Sequence, residues 1–319
     1  VAARVLVVSD LWLPFPGGAE RLIFNLARDL QRRGADVYAL TGYGPALRFD
    51  GPPLLVRAIG VRDQHADGAL VLADAIAQVR PDVLLVHHFY AYEFEAELVA
   101  TGLPMVQVVL NNRRIPEAAL AVFISRYVRD QLDHQPGDLL ITPPAYPEDV
   151  VADSHRDGIG FVKPIEHKGV ALVYQLAEAM PERRFVVLRG EWQNIELLRD
   201  DLPNVAYMEP VLHMATFYGE CRLLLVPSVS EDAGTVAQEA TLNGLPCLAS
   251  DVGGLRETAA GGVLLPPDDL GAWVAAITEL DDPARYAEVA ARQAAAYAAA
   301  GHDTALAELA AAIDWLAQQ

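Results

Sequence analysis

The 319-residue chain is 52% hydrophobic, enough apolar material for two globular cores, and its formal net charge of −19 argues against nucleic acid or an anionic lipid surface except through a local basic site. The acidity is lopsided: residues 1–150 hold 13 Arg against 18 acidic residues, whereas 151–319 hold 11 basic against 25 acidic residues. Apolar runs are strand-length and broken by charge or proline, and the first ten residues enter a strand pattern without a signal-peptide layout, so no stable membrane insertion and a cytoplasmic location are expected.

In chain order, Arg4–Ser9 reads as a short buried strand, followed by Asp10 and a loop, Trp12 to Gly18. Gly17-Gly18-Ala19-Glu20 then precedes a helix over Ala19–Arg33, whose Leu22, Leu26 and Leu30 form a core-facing stripe. Further strands are expected at Asp36–Thr41, Val83–His87, Met105–Val109 and Val122–Ser125, with helices at Leu70–Val79, Glu93–Ala100 and Tyr127–Leu132. His87 and His88 close one of these strands at what would be a crevice edge; being adjacent, they point to opposite faces and cannot chelate one ion. Asn111, Asn112, Arg113 and Arg114 form a polar cluster able to bind an acceptor or simply to cap a loop, and Ser125 suits a helix N-cap.

Ile141–Asp149 carries three prolines and breaks both periods, which marks a domain boundary. A second strand–helix series follows, with strands at Gly158–Val162, Phe185–Arg189, Val205–Met208, Leu223–Val226, Pro246–Ala249 and Val263–Leu265. Helices fit Lys168–Ala179, Ile195–Arg199, Ala215–Glu220, Thr235–Asn243 and Leu270–Leu280, and past Pro283 the chain is helical to its end apart from Gly301-His302-Asp303. Alternation of this kind argues for α/β architecture with parallel sheets. The expected division is 1–143, 144–300 and a final helix over 301–319.

Chemistry concentrates in the second half. Among 24 basic residues only Lys163 and Lys168 are lysines, and both fall between Gly160 and Gly169, where a compact point charge suits a phosphate. The strand Leu223–Val226 leads to a glycine turn that opens a helix, flanked by Glu231 and Glu239, eight positions apart. A helix start offers free N–H groups and a positive dipole end, a seat for phosphate. Cys221 and Cys247 sit beside apolar strand residues and read as buried free thiols, not as a disulfide or metal set. No Asp-x-Asp metal clamp stands in a useful context, and no G-x-S-x-G elbow or Cys/His pair suggests a hydrolase.

From Ser228 to Glu257, the series Ser228, Glu231, Gly234, Glu239-Ala240, Gly244-x-Pro246 and Gly253-Gly254-x-x-Glu257 resembles the E-x7-E block of retaining glycosyltransferase family 4. The resemblance implies the GT-B plan: two Rossmann-like domains with parallel sheets and an interdomain cleft, an acceptor-side N-terminal domain, a nucleotide-sugar-binding C-terminal domain, and a last helix crossing back to the first. It implies a retaining, metal-independent, hexosyltransferase-like enzyme that takes a nucleotide-sugar donor, UDP-linked by default, and a soluble small-molecule or saccharide acceptor. No further cofactor is expected, and the oligomeric state stays open.

By the same resemblance Glu231 faces the donor sugar and Glu239 the ribose. Gly234, Thr235 and Val236 hold sugar and diphosphate, with Lys163 and Lys168 on the diphosphate and Gly17-Gly18 closing over its phosphate end. Loops at Arg189-Gly190-Glu191 and Glu209-Pro210-Val211 hold the nucleobase, and His87 lines the acceptor side. Two positions depart from the family pattern: Lys163 replaces an arginine, and Leu110-Asn111 stands where a histidine is usual. These departures leave a non-catalytic nucleotide-sugar binder as the alternative.

Overall fold

The computed structural model describes residues 2–9, 17–41, 55–58, 68–87, 90–110, 113–190 and 196–319. Asp10, the loop through residue 16, His88, Asn111, Asn112, Glu191 and the Ile195 start of one expected helix lie outside the described residues. The chain forms two compact units, Val1–Pro144 with His302–Gln319, and Ala145–Gly301.

In the first unit, the described strands are β1 (Arg4–Ser9), β2 (Asp36–Thr41), β3 (Leu55–Ala58), β4 (Val83–His87), β5 (Met105–Val109), β6 (Leu120–Phe123) and β7 (Leu139–Leu140). They pair in parallel in the order β3-β2-β1-β4-β5-β6-β7. Between them run α1 (Gly18–Arg32), α2 (Gly68–Val79), α3 (Tyr90–Glu93), α4 (Glu95–Ala100) and α5 (Arg126–Gln131). The four-residue spacing of Leu22, Leu26 and Leu30 puts all three inside the core.

The second unit contains α6 (Pro147–Val150), β8 (Gly158–Val162), α7 (Val170–Ala179), β9 (Phe185–Leu188), β10 (Val205–Met208), α8 (Ala215–Tyr218) and β11 (Cys221–Val226). It continues through α9 (Thr235–Leu242), β12 (Cys247–Ser250), α10 (Leu255–Thr258), β13 (Val263–Leu265), α11 (Leu270–Glu279) and α12 (Pro283–Ala299). Its parallel sheet runs β10-β9-β8-β11-β12-β13. Because successive strand residues face opposite ways, β11 divides its side chains between two cores. Leu223 and Leu225 join Val173, Leu176, Trp273 and Ile277 under α7 and α11, while Leu224 and Val226 join Phe217, Tyr218, Ala237 and Ala240 under α8 and α9.

The last helix, α13 (His302–Leu316), belongs to the first unit. It buries Leu306, Leu309 and Ile313, and Asp303 pairs with Arg33 just beyond α1. Both sheets reverse their strand order beside their first strand, between β1 and β4 and between β8 and β11. In open α/β sheets such a switch point opens a crevice at the carboxyl ends of the strands, which is where ligands bind.

Several elements differ from expectation, each for a local reason. β6 ends at Phe123, and Ser125 caps α5, its Oγ accepting from Val128 N at 3.1 Å. Residues 196–199 are not helical, although a helix was expected over Ile195–Arg199. Their backbone is held by distant partners instead: Leu197 N donates to Pro164 O at 2.9 Å and Arg199 N to the Tyr207 hydroxyl at 2.7 Å. Strands β3 and β7 were not expected; β7 has only two residues, too few to show a period.

Candidate functional site

The switch point of the second sheet brings the lysine stretch and the glutamate turn together. β8 ends at Val162, and Lys163 turns the chain in a left-handed conformation with φ 68°. That turn is fixed on both sides: Lys163 N donates to Leu188 O and Ile165 N to Lys163 O, each at 2.8 Å. One 3₁₀ turn later, Lys168 Nζ lies 2.6 Å from Glu231 Oε2, and Ser228 Oγ donates to the same oxygen at 3.1 Å. Val229 N donates to His167 O at 2.9 Å, tying the β8 and β11 loops together.

Lys168 and Glu231 are only partly covered, with side-chain exposures of 26% and 12%, so the pair is reachable from solvent. An ammonium has three donors, so one bond to Glu231 leaves Lys168 the capacity to meet a phosphate as well. Burial first, then Lys168 and Lys163, push the His167 imidazole below its ordinary 6.5, against a smaller upward pull from Glu231.

The turn into α9 is built for close approach. Gly234 has φ 75°, a left-handed conformation that a side chain resists, and a Cβ there would stand 2.5 Å from Leu255 Cδ2. Gly254 presses against the other side of the turn: a Cβ would meet Asp232 O at 2.0 Å, and its N–H donates to Glu231 O at 2.9 Å. Thr258 Oγ1 donates to Ala233 O, completing the clamp. The N-cap of α9 is Gly234, so no cap side chain covers the first N–H groups of the helix, at Thr235 and Val236.

Glu239 lies one turn into α9 and is buried, at 2% exposure. The Tyr218 hydroxyl donates to Glu239 Oε2 at 2.8 Å, and Asn243 Nδ2 donates to the Glu239 carbonyl at 2.8 Å. Among the expected nucleobase residues, Arg189 bridges Glu196 Oε2 at 2.8 Å and Glu209 Oε1 at 2.5 Å, and these two carboxylates raise its pKa. Gly190 N donates to the same Glu196 side chain, and Val211 packs partly buried on the core beneath α8.

Gly17, Gly18 and His87 belong to the first unit. Gly17 is the residue before α1, with extended backbone at φ −92° and ψ 160°. His87 is buried at the end of β4, its Nδ1 3.2 Å from Ser9 Oγ at the end of β1, so the pair flanks that sheet's own switch point. Arg114, part of the polar cluster read as able to bind an acceptor or to cap a loop, takes the second role. It is buried and pairs through Nε with Asp138 Oδ2 at 2.9 Å, while donating to the carbonyls of Ile115, Pro116 and Ala118. Arg113 pairs with Glu95 and stacks 5.6 Å over the Tyr92 ring.

Sequence reasoning missed Tyr218, Asn243, Glu196 and Thr258. Thr258 had a readable signal, since it follows Gly254 at helical spacing and immediately follows Glu257 of the motif. Tyr218 had none, because it reaches Glu239 only through the core that α8 and α9 share on β11. Cys221 and Cys247 are buried free thiols at the starts of β11 and β12, and burial pushes each up to about 12. Among the described residues, no cluster of His, Cys, Asp and Glu could hold a metal ion, and no helix is long and apolar enough to cross a membrane.

Comparison with known proteins points the same way. Residues 156–282 match the family described as Glycosyl transferases group 1. Over 268 residues the chain is 33% identical to a D-inositol 3-phosphate glycosyltransferase of Mycobacterium avium, a match that takes in 78% of this chain and 55% of that protein. A relative of the same name from Nocardiopsis dassonvillei is 27% identical over 331 residues, covering 77% of this chain and 76% of the relative. The chain thus spans about half the length of the Mycobacterium avium relative.

Among solved structures, Anabaena HepE in complex with UDP and glucose superposes with a TM-score of 0.77 at 16% identity, covering 98% of this chain and 99% of that one. Sucrose-phosphate synthase from Thermosynechococcus elongatus gives 0.76 at 16% identity, with coverages of 98% and 99%. Residues 156–282 are thus similar to group 1 glycosyl transferases, and the fold is of the GT-B class.

Proposed function

We propose that the chain is a retaining glycosyltransferase that moves a sugar from a nucleoside diphosphate donor, a UDP-sugar, to a soluble acceptor. The observation that carries this reading is the Lys168–Glu231 pair, 2.6 Å apart, set across the β8–β11 switch point in front of the uncapped start of α9. The group 1 glycosyl transferase relatives support the chemistry, and the neighbour crystallised with UDP and glucose supports the donor class. The relatives' name carries D-inositol 3-phosphate, a water-soluble polyol phosphate, which supports a soluble acceptor.

In this reading the donor's ribose hydroxyls bond the Glu239 carboxylate, and the diphosphate sits against Lys168, Lys163 and the N–H groups of Thr235 and Val236. The bond from the anomeric carbon to the diphosphate breaks, and its electron pair leaves with the phosphate oxygen. Lys168, Lys163 and the helix N–H groups meet that growing charge, usually the largest single contribution a site makes, and in this reading no metal ion is required. The acceptor oxygen then bonds the anomeric carbon on the same face, and its proton goes to the departing phosphate oxygen. Glu231, held by Lys168 and Ser228, orients the sugar's hydroxyls. Arg189, Gly190, Glu209 and Val211 border the base.

The test is a panel of UDP- and GDP-sugars with and without acceptor polyols, followed by mass spectrometry. Transfer or slow donor hydrolysis is expected with a UDP-sugar, unchanged by EDTA, and reduced about a hundredfold or more in Glu231→Gln and Lys168→Ala. Donor binding with no turnover across the panel would instead favour a nucleotide-sugar-binding protein without activity.

A further inference from the structure

The geometry points to Tyr218 as a positioning residue for the donor's ribose, acting through Glu239; the inference rests on the assignment of Glu239 to the ribose made above. Tyr218 is the last residue of α8 and is completely buried. Its ring fills the core beneath α8 and α9 and meets Phe217 edge-on at 5.2 Å between centroids. Packing alone would be met equally well by phenylalanine. A buried hydroxyl carries a desolvation penalty unless it is bonded, so its partners show what the oxygen adds.

Two of these partners lie on α9. The hydroxyl is 2.8 Å from Glu239 Oε2 and 3.3 Å from the carbonyl of Val236, in the helix's first turn. The shorter contact is to a carboxylate, and a hydrogen bond to an ionised acceptor is about twice as strong as a neutral one. One O–H therefore fixes the plane of the Glu239 carboxylate and borders the turn assigned to the diphosphate. The main chain of Glu239 is held separately, by Asn243 Nδ2, whose own Oδ1 takes Ala152 N at 2.9 Å. With backbone and carboxylate each fixed, Glu239 presents its oxygens to a vicinal diol in one orientation, and an oxygen that accepts from Tyr218 can still accept from a ligand hydroxyl. The other anchor of Tyr218, His155 Nδ1 at 3.0 Å from its carbonyl, holds the end of α8 without touching the site.

Removing the hydroxyl alone should leave the fold intact and loosen only recognition of the ribose. The experiment measures calorimetric Kd values for UDP, 2′-deoxy-UDP and inorganic pyrophosphate on the full chain, as wild type, Tyr218→Phe and Glu239→Ala, with Tm recorded for each. In Tyr218→Phe, UDP affinity should fall about tenfold, the scale of one hydrogen bond to a charged group, and the preference for UDP over 2′-deoxy-UDP should shrink with it. Pyrophosphate affinity should not change. If Glu239→Ala leaves the UDP preference intact, the ribose assignment fails and takes this inference with it. If Glu239→Ala erases the preference while Tyr218→Phe preserves it, the assignment stands and Tyr218 is only a core residue. Equal weakening of all three probes in Tyr218→Phe also overturns the inference, because it reports general loosening of α9 and not a positioned carboxylate.

Discussion

At the level of single residues, Lys163 sets the role proposed for it against backbone preference. Holding a non-glycine residue at φ 68° costs about 1–2 kcal/mol, yet the chain keeps a lysine there, beside Lys168 in the loop facing Glu231. Lys163→Gly should therefore leave stability unchanged or raise it by up to about 1 kcal/mol, the relieved strain being offset by the greater freedom of glycine in the unfolded chain. The donor KM should rise severalfold in the same variant. Urea denaturation alongside donor kinetics separates the two, and a stability loss without a KM change would show that the lysine serves the fold. The charge pattern was legible in the sequence because two lysines among many arginines stand out; the strained backbone was not, since φ is set by the bonds from Lys163 to Leu188 and Ile165.

Among the elements, the approach of α10 to the start of α9 decides whether the glutamate turn keeps its shape. Gly254 touches the backbone of Asp232 and Ala233, and the turn's carbonyls at Glu231 and Ala233 are taken by Gly254 N and Thr258 Oγ1. Gly254→Ala should cost about 1–3 kcal/mol, as overpacking does, and should lower donor affinity more than a remote substitution of equal destabilisation. Matching its urea midpoint against a surface-distant control variant, then comparing donor Kd, is the decisive measurement. The element pattern itself was largely readable, because strands buried on both faces give unbroken apolar runs between glycine and proline. It failed where backbone groups bond across long sequence distances, as at 196–199, and where a strand is only two residues long, as at β7.

For the whole molecule, each unit has its own core, and the first is pinned by an ion pair removed from water. Arg114 and Asp138 have side-chain exposures of 4% and 3%, and Asp138 also accepts from Ala121 N and Gln135 N. Burial pushes the Asp138 carboxyl up, but the Arg114 side chain and the two backbone N–H groups outweigh it and hold the carboxyl below its ordinary 3.8. A depressed carboxyl pKa means that the unfolded chain binds more protons. This contribution to stability is therefore complete well above pH 3.8 and is lost as the pH falls through the lower folded value. Asp138→Asn should cost about 3 kcal/mol or more at neutral pH, because it leaves a buried guanidinium unpaired, and should flatten the acid limb of the stability–pH curve. Thermal melts of both proteins from pH 7 to pH 3 check this.

The sequence by itself determined the α/β alternation, the proline-rich break near the boundary of the two compact units, and the two lysines and two glutamates set around a glycine turn. Those features are local: periodicity, turn chemistry and the spacing of a motif within one strand–turn–helix. Tertiary structure alone decided that Lys168 meets Glu231, that Arg114 serves the core and not a ligand, and that Tyr218 stands behind Glu239. Each of these contacts joins residues more than twenty positions apart. Only the order in which parallel strands assemble, and the packing of helices upon them, brings such residues within hydrogen-bonding distance.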